Sequence, residues 1–348
     1  MRAPEPASSF RMKKKLRPLL SAAAACGLSV LFSSCVGTGT TGGGGMGNNI
    51  AEVGQPYPNI ASYIAVEAFS GHVALAHAAN QRRPVASLTK IATALAALEY
   101  LSQSGTDAGE MMTVPPQVTL LGGPGPAVLQ PGDQISIRDG LYAAMISSDN
   151  YAAETVAAHI GGKLTGGNPM SAFLSRMNDI GQRAGLRDTR FANAHGLDLP
   201  GQRGYSTAAD MAKLTIYALN VPGFTFYSSQ PARRITIRRA GGLLGVSLTT
   251  TNELLFRGGI DGVKTGTTTL AGQCLIITSP KPSTVVKNPD GSTAVTQHRL
   301  VVVTLGAADR FPQTWQLFND GWAAYFRWRE SGQGSAPGET LSLPGTGM

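Results

Sequence analysis

Three short motifs, each present once, set the strongest constraint on how this chain can fold. They are Ser87-Leu88-Thr89-Lys90, Ser148-Asp149-Asn150 and Lys264-Thr265-Gly266, in that order. Each motif alone is weak, because a pattern of two or three defined residues recurs by chance in unrelated chains. Here the first lies at a predicted helix start, the second between two predicted helices and the third at a predicted strand end. A fold that uses all three must bring these ends to one cleft.

The N-terminal half predicts a hairpin followed by helices. Residues 63–68 and 73–77 flank Ser70-Gly71, which is typical of a β-hairpin. Residues 87–101 are rich in Ala and Leu and contain no Gly or Pro, so they favour a helix. Further helices are predicted at 137–147, at 150–160 with an end at Gly161-Gly162, at 171–186, and at 207–219 with a capping box of Thr207 and Asp210.

The C-terminal half predicts mainly strands. They are expected at 234–237, 262–265, 274–278 and 300–305, with a turn at 288–291 in a long hairpin between the last two. A final helix over 312–327 carries one aromatic stripe, which indicates packing against the sheet: Trp315, Phe318, Trp322 and Phe326. We therefore expect an α+β fold. An antiparallel β-sheet, built from both ends of the chain, is flanked by helices and joined by a mostly helical subdomain.

The spacing of Ser87 and Lys90 indicates nucleophilic catalysis. Because they lie three residues apart at a helix start, their side chains share one face. A serine hydroxyl attacks poorly until a base removes its proton. Lys90 can be that base only when uncharged, which requires burial and a nearby cation, and Lys264 is the candidate cation. Taken singly, an N-cap serine and a solvated lysine are the ordinary interpretation, but the apolar helix that follows argues against solvation.

The other two motifs supply groups around that pair. Ser148 and Asn150 lie between two helices and can face one cleft, where the serine would relay a proton to a leaving amine and the asparagine would hold the lysine. Capping of the next helix is the alternative role of this motif. Gly266 keeps side-chain bulk away from a strand edge that can pair with an extended peptide. The backbone N–H groups of Ser87 and Thr267 would form an oxyanion hole.

Over residues 57–327 the chain resembles the D-alanyl-D-alanine carboxypeptidase family, the low-molecular-mass penicillin-binding proteins. The segments that carry the resemblance, besides Ser148-Asp149-Asn150, are 82–90, 129–139, 191–197 and 260–266. The resemblance implies a β-lactamase-like, penicillin-binding transpeptidase-like fold. In it, Ser87 is the nucleophile and Lys90 the general base, while Ser148 and Asn150 complete the second motif.

The same resemblance implies a substrate and an inhibitor. Lys264 and Thr265 would engage the terminal carboxylate of a peptidoglycan stem peptide, helped by Arg310. β-Lactam antibiotics would acylate Ser87. The favoured reaction removes the terminal D-alanine of a pentapeptide through an acyl-enzyme. Many carboxypeptidases of the family have a β-rich C-terminal domain and a membrane helix, and the chain stops too soon for either. In this respect it resembles the family's endopeptidases, which cut D-alanyl cross-links. The endopeptidase reaction is therefore the alternative.

Two further classes are disfavoured. A class A-like β-lactamase needs a deacylating glutamate in a loop between the second and third motifs, but no Glu lies between Glu154 and Glu253. A non-catalytic protein that binds the cell wall or senses penicillin is disfavoured because all motif residues are intact. His195 matches a His-Gly pattern of the family, for which we expect a role in loop structure.

The N-terminal residues resemble an export signal. A basic stretch at 12–17 precedes the apolar and small residues 19–32, which are too short to span a bilayer. Cys35 and the Gly- and Thr-rich run after it resemble a lipoprotein cleavage site. Ordinary secretory cleavage and an uncleaved anchor are the alternatives. We expect a signal peptide over 1–34 with a true start at Met12, a lipid on Cys35, a flexible tether over 35–56, a catalytic domain over 57–330 and a disordered tail over 331–348.

This organisation predicts a protein exported to the periplasm and tethered to a membrane by its N-terminal lipid. The net charge of +8 does not argue for nucleic acid, because six basic residues and one acidic residue precede position 35 and leave about +3 for the rest. Cys26 and Cys35 lie in the leader, so Cys274 is alone in the folded part and no disulfide is expected within it. The five histidines show no metal-ligand spacing, and we expect neither a metal nor a cofactor.

Overall fold

The computed structural model describes residues 49–123, 125–164 and 167–344. Its strands are β1 (Ile60–Glu67), β2 (Val73–His77), β3 (Met111–Thr113), β4 (Gln134–Ser136), β5 (Ala232–Arg239), β6 (Gly242–Thr249), β7 (Gly262–Thr268), β8 (Gly272–Lys287) and β9 (Thr293–Ala307). Its helices are α1 (Lys90–Ser104), α2 (Ile137–Ile146), α3 (Asn150–Leu164), α4 (Pro169–Arg183), α5 (Ala208–Leu219), α6 (Phe224–Ser228) and α7 (Arg310–Glu330). A 3-10 turn, Ala86–Thr89, leads into α1.

A five-stranded sheet organises the chain, in the order β2-β1-β9-β8-β7. Each neighbouring pair is antiparallel. The pairing of β1 with β9 joins the two ends of the chain, as the sequence predicts, and the hairpin of β1 and β2 is confirmed. The α+β class is confirmed as well. Because β7 lies at the edge of the order, one side of this strand has no partner strand in the sheet.

The central part of this sheet is buried on both faces, so the segments of β1, β8 and β9 that lie there are rich in apolar residues, whereas β7 carries the polar residues of the third motif. Along β9, Leu300 and Val302 point to one face while Val301 and Val303 point to the other. The first face packs against α7, whose buried residues are Thr314, Leu317, Phe318, Gly321, Trp322 and Tyr325. The second face packs against α1 and α5. The aromatic stripe of the last helix is therefore mainly core, as predicted, with Phe326 at its exposed margin.

A second sheet, of four strands in the order β3-β4-β5-β6, was not predicted as a unit. The sequence predicts β5 but misses β6, because Gly242 and Gly245 weaken the strand pattern. The sheet lies beside α2, whose N-cap Ser136 accepts a hydrogen bond from Asp139 N. Asp139 Oδ2 in turn accepts from Thr236 N of β5, at 3.1 Å. This sheet supports the helix that precedes the second motif.

The predicted helices are all present, with ends that differ by up to four residues, whereas the sequence does not predict α6. Thr207 caps α5 by accepting from Asp210 N at 3.0 Å, as predicted. The prediction that Gly161-Gly162 ends α3 is wrong, since α3 continues to Leu164. A Cβ on Gly161 would lie 1.9 Å from Pro169 O, whereas one on Gly162 would meet nothing within 4 Å. The first glycine allows α4 to approach closely and does not act as a helix stop.

The segments at either side of the predicted domain differ from the expected tether and tail. Residues 331–344 pack onto the first hairpin: Val73 N donates to Glu339 O at 2.9 Å and Leu341 N to Gly71 O at 2.8 Å. Leu341 is 1% exposed. Residues 49–56 lie there too, with Ile50 buried and Val53 paired to Ala76. Burial of Ile50 and Leu341, two apolar side chains in otherwise polar, Gly-rich stretches, stabilises the packing of these segments onto the hairpin.

Several predictions for the leader lie outside the described residues. These are the start at Met12, the signal peptide over 1–34 and the lipid site at Cys35. Among the helices that the structure describes, none combines the length and the hydropathy needed to cross a bilayer.

Candidate active site

The three motifs meet where the 3-10 turn, the α2–α3 connection and β7 come together. Gly266 of β7 faces the start of the 3-10 turn so closely that a Cβ there would lie 3.0 Å from Ser87 N and 3.1 Å from Val85 O. A larger residue at position 266 would push the strand away from the serine. Ala86, directly before Ser87, has a φ of 49°. Such backbone is strained for a residue with a Cβ, and strain of this kind concentrates at functional sites.

Lys90 is the centre of the site. Its Nζ lies 2.9 Å from Ser87 Oγ, 2.7 Å from Asn150 Oδ1 and 2.8 Å from the backbone oxygen of His195. The residue is 0% exposed. Three elements supply the three oxygens, namely the 3-10 turn, the start of α3 and the loop after α4. The structure thus brings Ser87, Lys90 and Asn150 together, as the sequence predicts.

Burial sets the charge state of this lysine. Removal from water lowers the pKa of Lys90 to about 7, against the opposing effect of the Asp149 carboxylate. The prediction assigned part of this lowering to the cation at Lys264. In the structure the repulsion between the two lysines lowers the pKa of Lys264 instead. Burial, followed by the charges of Lys90 and Arg310, holds that pKa well below its usual value. With a pKa of about 7, Lys90 is mainly uncharged above pH 7, which is the form that a general base requires.

The second motif combines a strained serine with a buried anchor. Ser148 has a φ of 63° and is partly exposed. Asp149, 0% exposed, accepts from Ala152 N at 2.8 Å and from Ala127 N at 2.9 Å. Its carboxylate therefore caps α3 and also fixes the loop before α2. The capping role weighed for this motif belongs to Asp149, which leaves the side chains on either side of it free to serve the cleft.

The third motif presents a buried cation on the edge strand. Lys264 is 1% exposed, and its Nζ donates to Thr265 O at 3.1 Å. Thr265 Oγ1 lies 2.5 Å from Thr251 Oγ1, which joins β7 to the segment after β6. Thr267 is the first exposed residue of β7. Lys264 has fewer oxygen partners than Lys90, so an incoming anion gains most at this end of the cleft.

Arg310 lies directly behind this strand. Its Nη1 donates to Gly266 O at 2.8 Å and to Cys274 O at 3.2 Å, while its Nε is buried without a hydrogen-bond partner among the described residues. Its charge contributes to the lowered pKa of Lys264. The structure thus places the predicted carboxylate-binding arginine beside the third motif, where it also holds the backbone of β7.

Sequence reasoning missed two contributors to the site. His195 was expected to structure a loop, but its backbone oxygen is also a direct partner of Lys90. The sequence assigns Glu154 no role beyond its place in the predicted helix 150–160, yet its Oε2 lies 3.8 Å from His195 Nε2. A backbone carbonyl leaves no signal in a sequence, whereas the spacing of Asn150 and Glu154 on one helix could have indicated the glutamate. Within the described residues, no group of three or more His, Cys, Asp or Glu side chains could hold a metal ion.

Comparison with solved structures assigns this fold to the class found in the penicillin-binding D,D-peptidases. A Streptomyces DD-transpeptidase superposes with a TM-score of 0.66 at 25% identity, covering 78% of this chain and 100% of its own. A penicillin-binding protein of Listeria monocytogenes in its ampicillin-bound form gives 0.62 at 26% identity, covering 77% and 99%. The chain belongs to the D-alanyl-D-alanine carboxypeptidase family, whose sequence profile matches residues 51–287.

Curated relatives include both activities weighed from the sequence. D-alanyl-D-alanine carboxypeptidase DacC of Escherichia coli is 32% identical over 232 residues, 64% of this chain and 54% of the relative. A D-alanyl-D-alanine endopeptidase of Pseudomonas aeruginosa is 31% identical over 204 residues, 56% of this chain and 58% of the relative. The chain spans about half the length of the curated relatives it matches.

Proposed function

We propose that this protein is a serine-type D-alanyl-D-alanine carboxypeptidase that acts on peptidoglycan stem peptides. The observation that carries the proposal is the environment of Lys90 Nζ. A neutral amine has two N–H groups and one lone pair. The amide oxygen of Asn150 and the backbone oxygen of His195 can only accept, so they take the two N–H groups. The lone pair is left for the hydroxyl proton of Ser87.

Acylation follows from this arrangement. Lys90 takes the hydroxyl proton as Ser87 Oγ attacks the carbonyl carbon between the last two D-alanines. The N–H groups of Ser87 and Thr267 serve as the oxyanion hole, and each such donor contributes roughly 3 kcal/mol. Ser148 relays the proton to the departing amine, so terminal D-alanine leaves as a neutral amine group. Water then hydrolyses the ester on Ser87 and restores the enzyme.

The terminal carboxylate explains the cationic end of the cleft. Lys264, Thr265 and Arg310 surround Gly266, and the carboxylate of the stem peptide binds there through charge-assisted hydrogen bonds. The peptide lies extended along the free edge of β7. A penicillin carries both a carboxylate and a strained amide, so it enters the same cleft and acylates Ser87.

Labelling with a fluorescent penicillin tests the nucleophile. Wild-type protein is expected to retain one covalent label, and Ser87→Ala to retain none. Equal labelling of the variant contradicts the assignment of Ser87. Rapid repeated turnover of nitrocefin contradicts the assignment as a carboxypeptidase and favours a β-lactamase. Labelling without any peptide hydrolysis favours a penicillin-sensing protein.

The endopeptidase reaction is the second candidate, favoured by the Pseudomonas relative. Both reactions use one site and differ in what fits around it. Incubation with purified muropeptides and mass analysis separates them. Loss of one alanine from monomers indicates the carboxypeptidase, whereas conversion of dimers to monomers indicates the endopeptidase.

We also propose that the protein is exported to the periplasm, where a lipid on Cys35 tethers it to a membrane. The support is the basic and apolar leader before Cys35. Labelling of cells with a palmitate analogue is expected to mark the wild-type protein and not Cys35→Ala. Cys26→Ala is the matched control, since Cys26 lies inside the apolar stretch and is expected to leave labelling unchanged. If both variants keep the label, the assignment of the lipid to Cys35 is contradicted.

A further inference from the structure

Helix α3 reaches the environment of Lys90 at two points. Asn150 and Glu154 are four residues apart, so they share a face of the helix. Asn150 Oδ1 accepts directly from Lys90 Nζ at 2.7 Å. Glu154 reaches the ring of His195 instead, with 3.8 Å between Oε2 and Nε2. The Glu154 side chain is 13% exposed and that of His195 is 1% exposed, so the contact is shielded from water.

His195 connects this carboxyl group to the lysine. Its backbone oxygen accepts from Lys90 Nζ at 2.8 Å, and its ring Nδ1 accepts from Leu197 N at 3.1 Å. A neutral ring with Nδ1 as acceptor carries its proton on Nε2, the nitrogen that faces Glu154. Burial, followed by the charge of Lys90, lowers the pKa of His195 to about 3, so the ring stays neutral at physiological pH.

Glu154 and Lys90 are the two members of this cluster that titrate near neutral pH. Burial raises the pKa of Glu154 to about 7. From the loop after α4 it is faced by His195, which is neutral. Lys90 on α1 and Asp149, directly before α3, are the other ionisable groups of the cluster, and each shifts the pKa of the other. When ionised, Glu154 attracts the positive end of the His195 Nε2–H bond across 3.8 Å, an electrostatic contact that is longer than a hydrogen bond.

We propose that Glu154 is a positioning residue, which holds the His195 ring and thereby the backbone oxygen that orients Lys90 towards Ser87. The inference rests on the proposed function, since it is read out through acylation of Ser87. It assigns to one helix both the direct and the indirect support of the general base. Acylation of Ser87 then requires an ionised Glu154 and a neutral Lys90 at the same time.

Glu154→Gln tests the proposal, because it keeps the shape and removes the charge. The second-order rate of acylation by a fluorescent penicillin is measured from pH 5.5 to 9, per active site, together with the melting temperature. Above pH 8 we expect a loss of about tenfold, the scale of a small misplacement of a reacting group. On the acid side of the profile, the rate is expected to fall with the uptake of two protons in the wild type and of one in the variant.

Glu99→Gln is the matched control. Glu99 is also a buried carboxylate, 7% exposed, but it pairs with Arg183 at 2.6 Å on the far part of α1. Its substitution is expected to lower stability without changing the acylation profile. Combining Glu154→Gln with His195→Gln is expected to cost no more than the larger single loss, because the two residues act through one contact.

Three results would overturn the proposal. They are a Glu154→Gln rate and profile equal to the wild type, a loss that matches the unfolded fraction alone, and a one-proton acid limb in the wild type. If Glu154→Gln does not fold, His195→Gln tests the same contact from the other side, and an unchanged profile there has the same consequence. Labelling of Ser87→Ala would instead contradict the proposed function itself.

Discussion

At the residue scale, the site contains two fully buried lysines whose surroundings differ. Lys90 has three oxygen partners and the Asp149 carboxylate nearby, whereas Lys264 has one backbone oxygen and the repulsion of two cations. Taking a charge out of water is costly unless partners replace the water. An anionic substrate supplies the missing partner at Lys264. At Lys90, burial lowers the pKa to about 7 despite these partners, so the free amine that catalysis needs is populated near neutral pH.

The first prediction is a pH dependence of acylation. Because burial lowers the pKa of Lys90 to about 7, its protonated form gains weight as the pH falls below 7 and can no longer accept the Ser87 proton. The acylation rate is therefore expected to be maximal above pH 8 and to fall on the acid side with a midpoint near 7. Stopped-flow labelling with penicillin measures it. A rate that is flat between pH 6 and 9 excludes Lys90 as the base.

The second prediction concerns Arg310. Arg310→Ala is expected to lower kcat/KM for a D-Ala-D-Ala peptide about 10- to 100-fold, since hydrogen bonds to charged groups contribute about 1.5–3 kcal/mol. The peptide with an amidated C-terminus is the control substrate, and its slow hydrolysis is expected to change little. An equal loss on both substrates would show that Arg310 acts by holding Gly266 O and not by binding the carboxylate.

At the scale of elements, helix packing decides where the second motif points. Helix α3 begins at Asn150, and its far end packs against the start of α4 through Gly161. The close contact of these two helices fixes the direction of α3 and hence of the side chains at its start. Glycine is unfavourable in a helix by about 1 kcal/mol relative to alanine, so this one is retained for space.

The third prediction uses the two adjacent glycines of α3. Gly161→Ala is expected to lower the free energy of unfolding by about 1–3 kcal/mol, the cost of overpacking, since its Cβ would overlap Pro169 O. Gly162→Ala is expected to raise it by up to about 1 kcal/mol, because that position is open and alanine favours helix. Urea denaturation measures both. Equal effects of the two changes would contradict the packing argument.

At the scale of the whole molecule, the central sheet separates the site from the two terminal segments, which pack at its other edge. The site lies at the β7 edge, while residues 49–56 and 331–344 cover the β2 edge. An uncovered edge strand invites pairing with other chains. The two terminal segments remove that hazard, and they do so at the opposite edge of the sheet from the cleft.

The fourth prediction tests how much the docking of the C-terminal segment contributes to stability. Leu341→Ala is expected to lower the free energy of unfolding by about 2–3 kcal/mol, as for other buried leucines. Leu270, which is 48% exposed, is the matched control, and Leu270→Ala is expected to stay within about 0.5 kcal/mol of the wild type. Acylation per folded molecule is expected to be unchanged in Leu341→Ala. A loss of acylation in the folded variant would show that the terminal segment couples to the site.

Much of the fold could be predicted because its signals are local. Two apolar segments that flank Ser70-Gly71 predict β1 and β2, the Ala- and Leu-rich run predicts α1, and the Thr207 cap predicts the start of α5. The failures have a common cause. Gly161, Leu341 and the strand β6 carry weak or misleading local patterns, and distant residues decide their structure.

The sequence by itself determined which chemical groups are present and in what order, since a hydroxyl, two amines and an amide can be recognised from residue identity and spacing. The tertiary structure alone decided what those groups can do. The lowered pKa of Lys90, the part played by the His195 backbone oxygen and the contact of Glu154 with His195 all require burial and distances between residues far apart in the chain. Desolvation and hydrogen-bond geometry depend on what surrounds an atom in space, and a linear pattern does not contain that information.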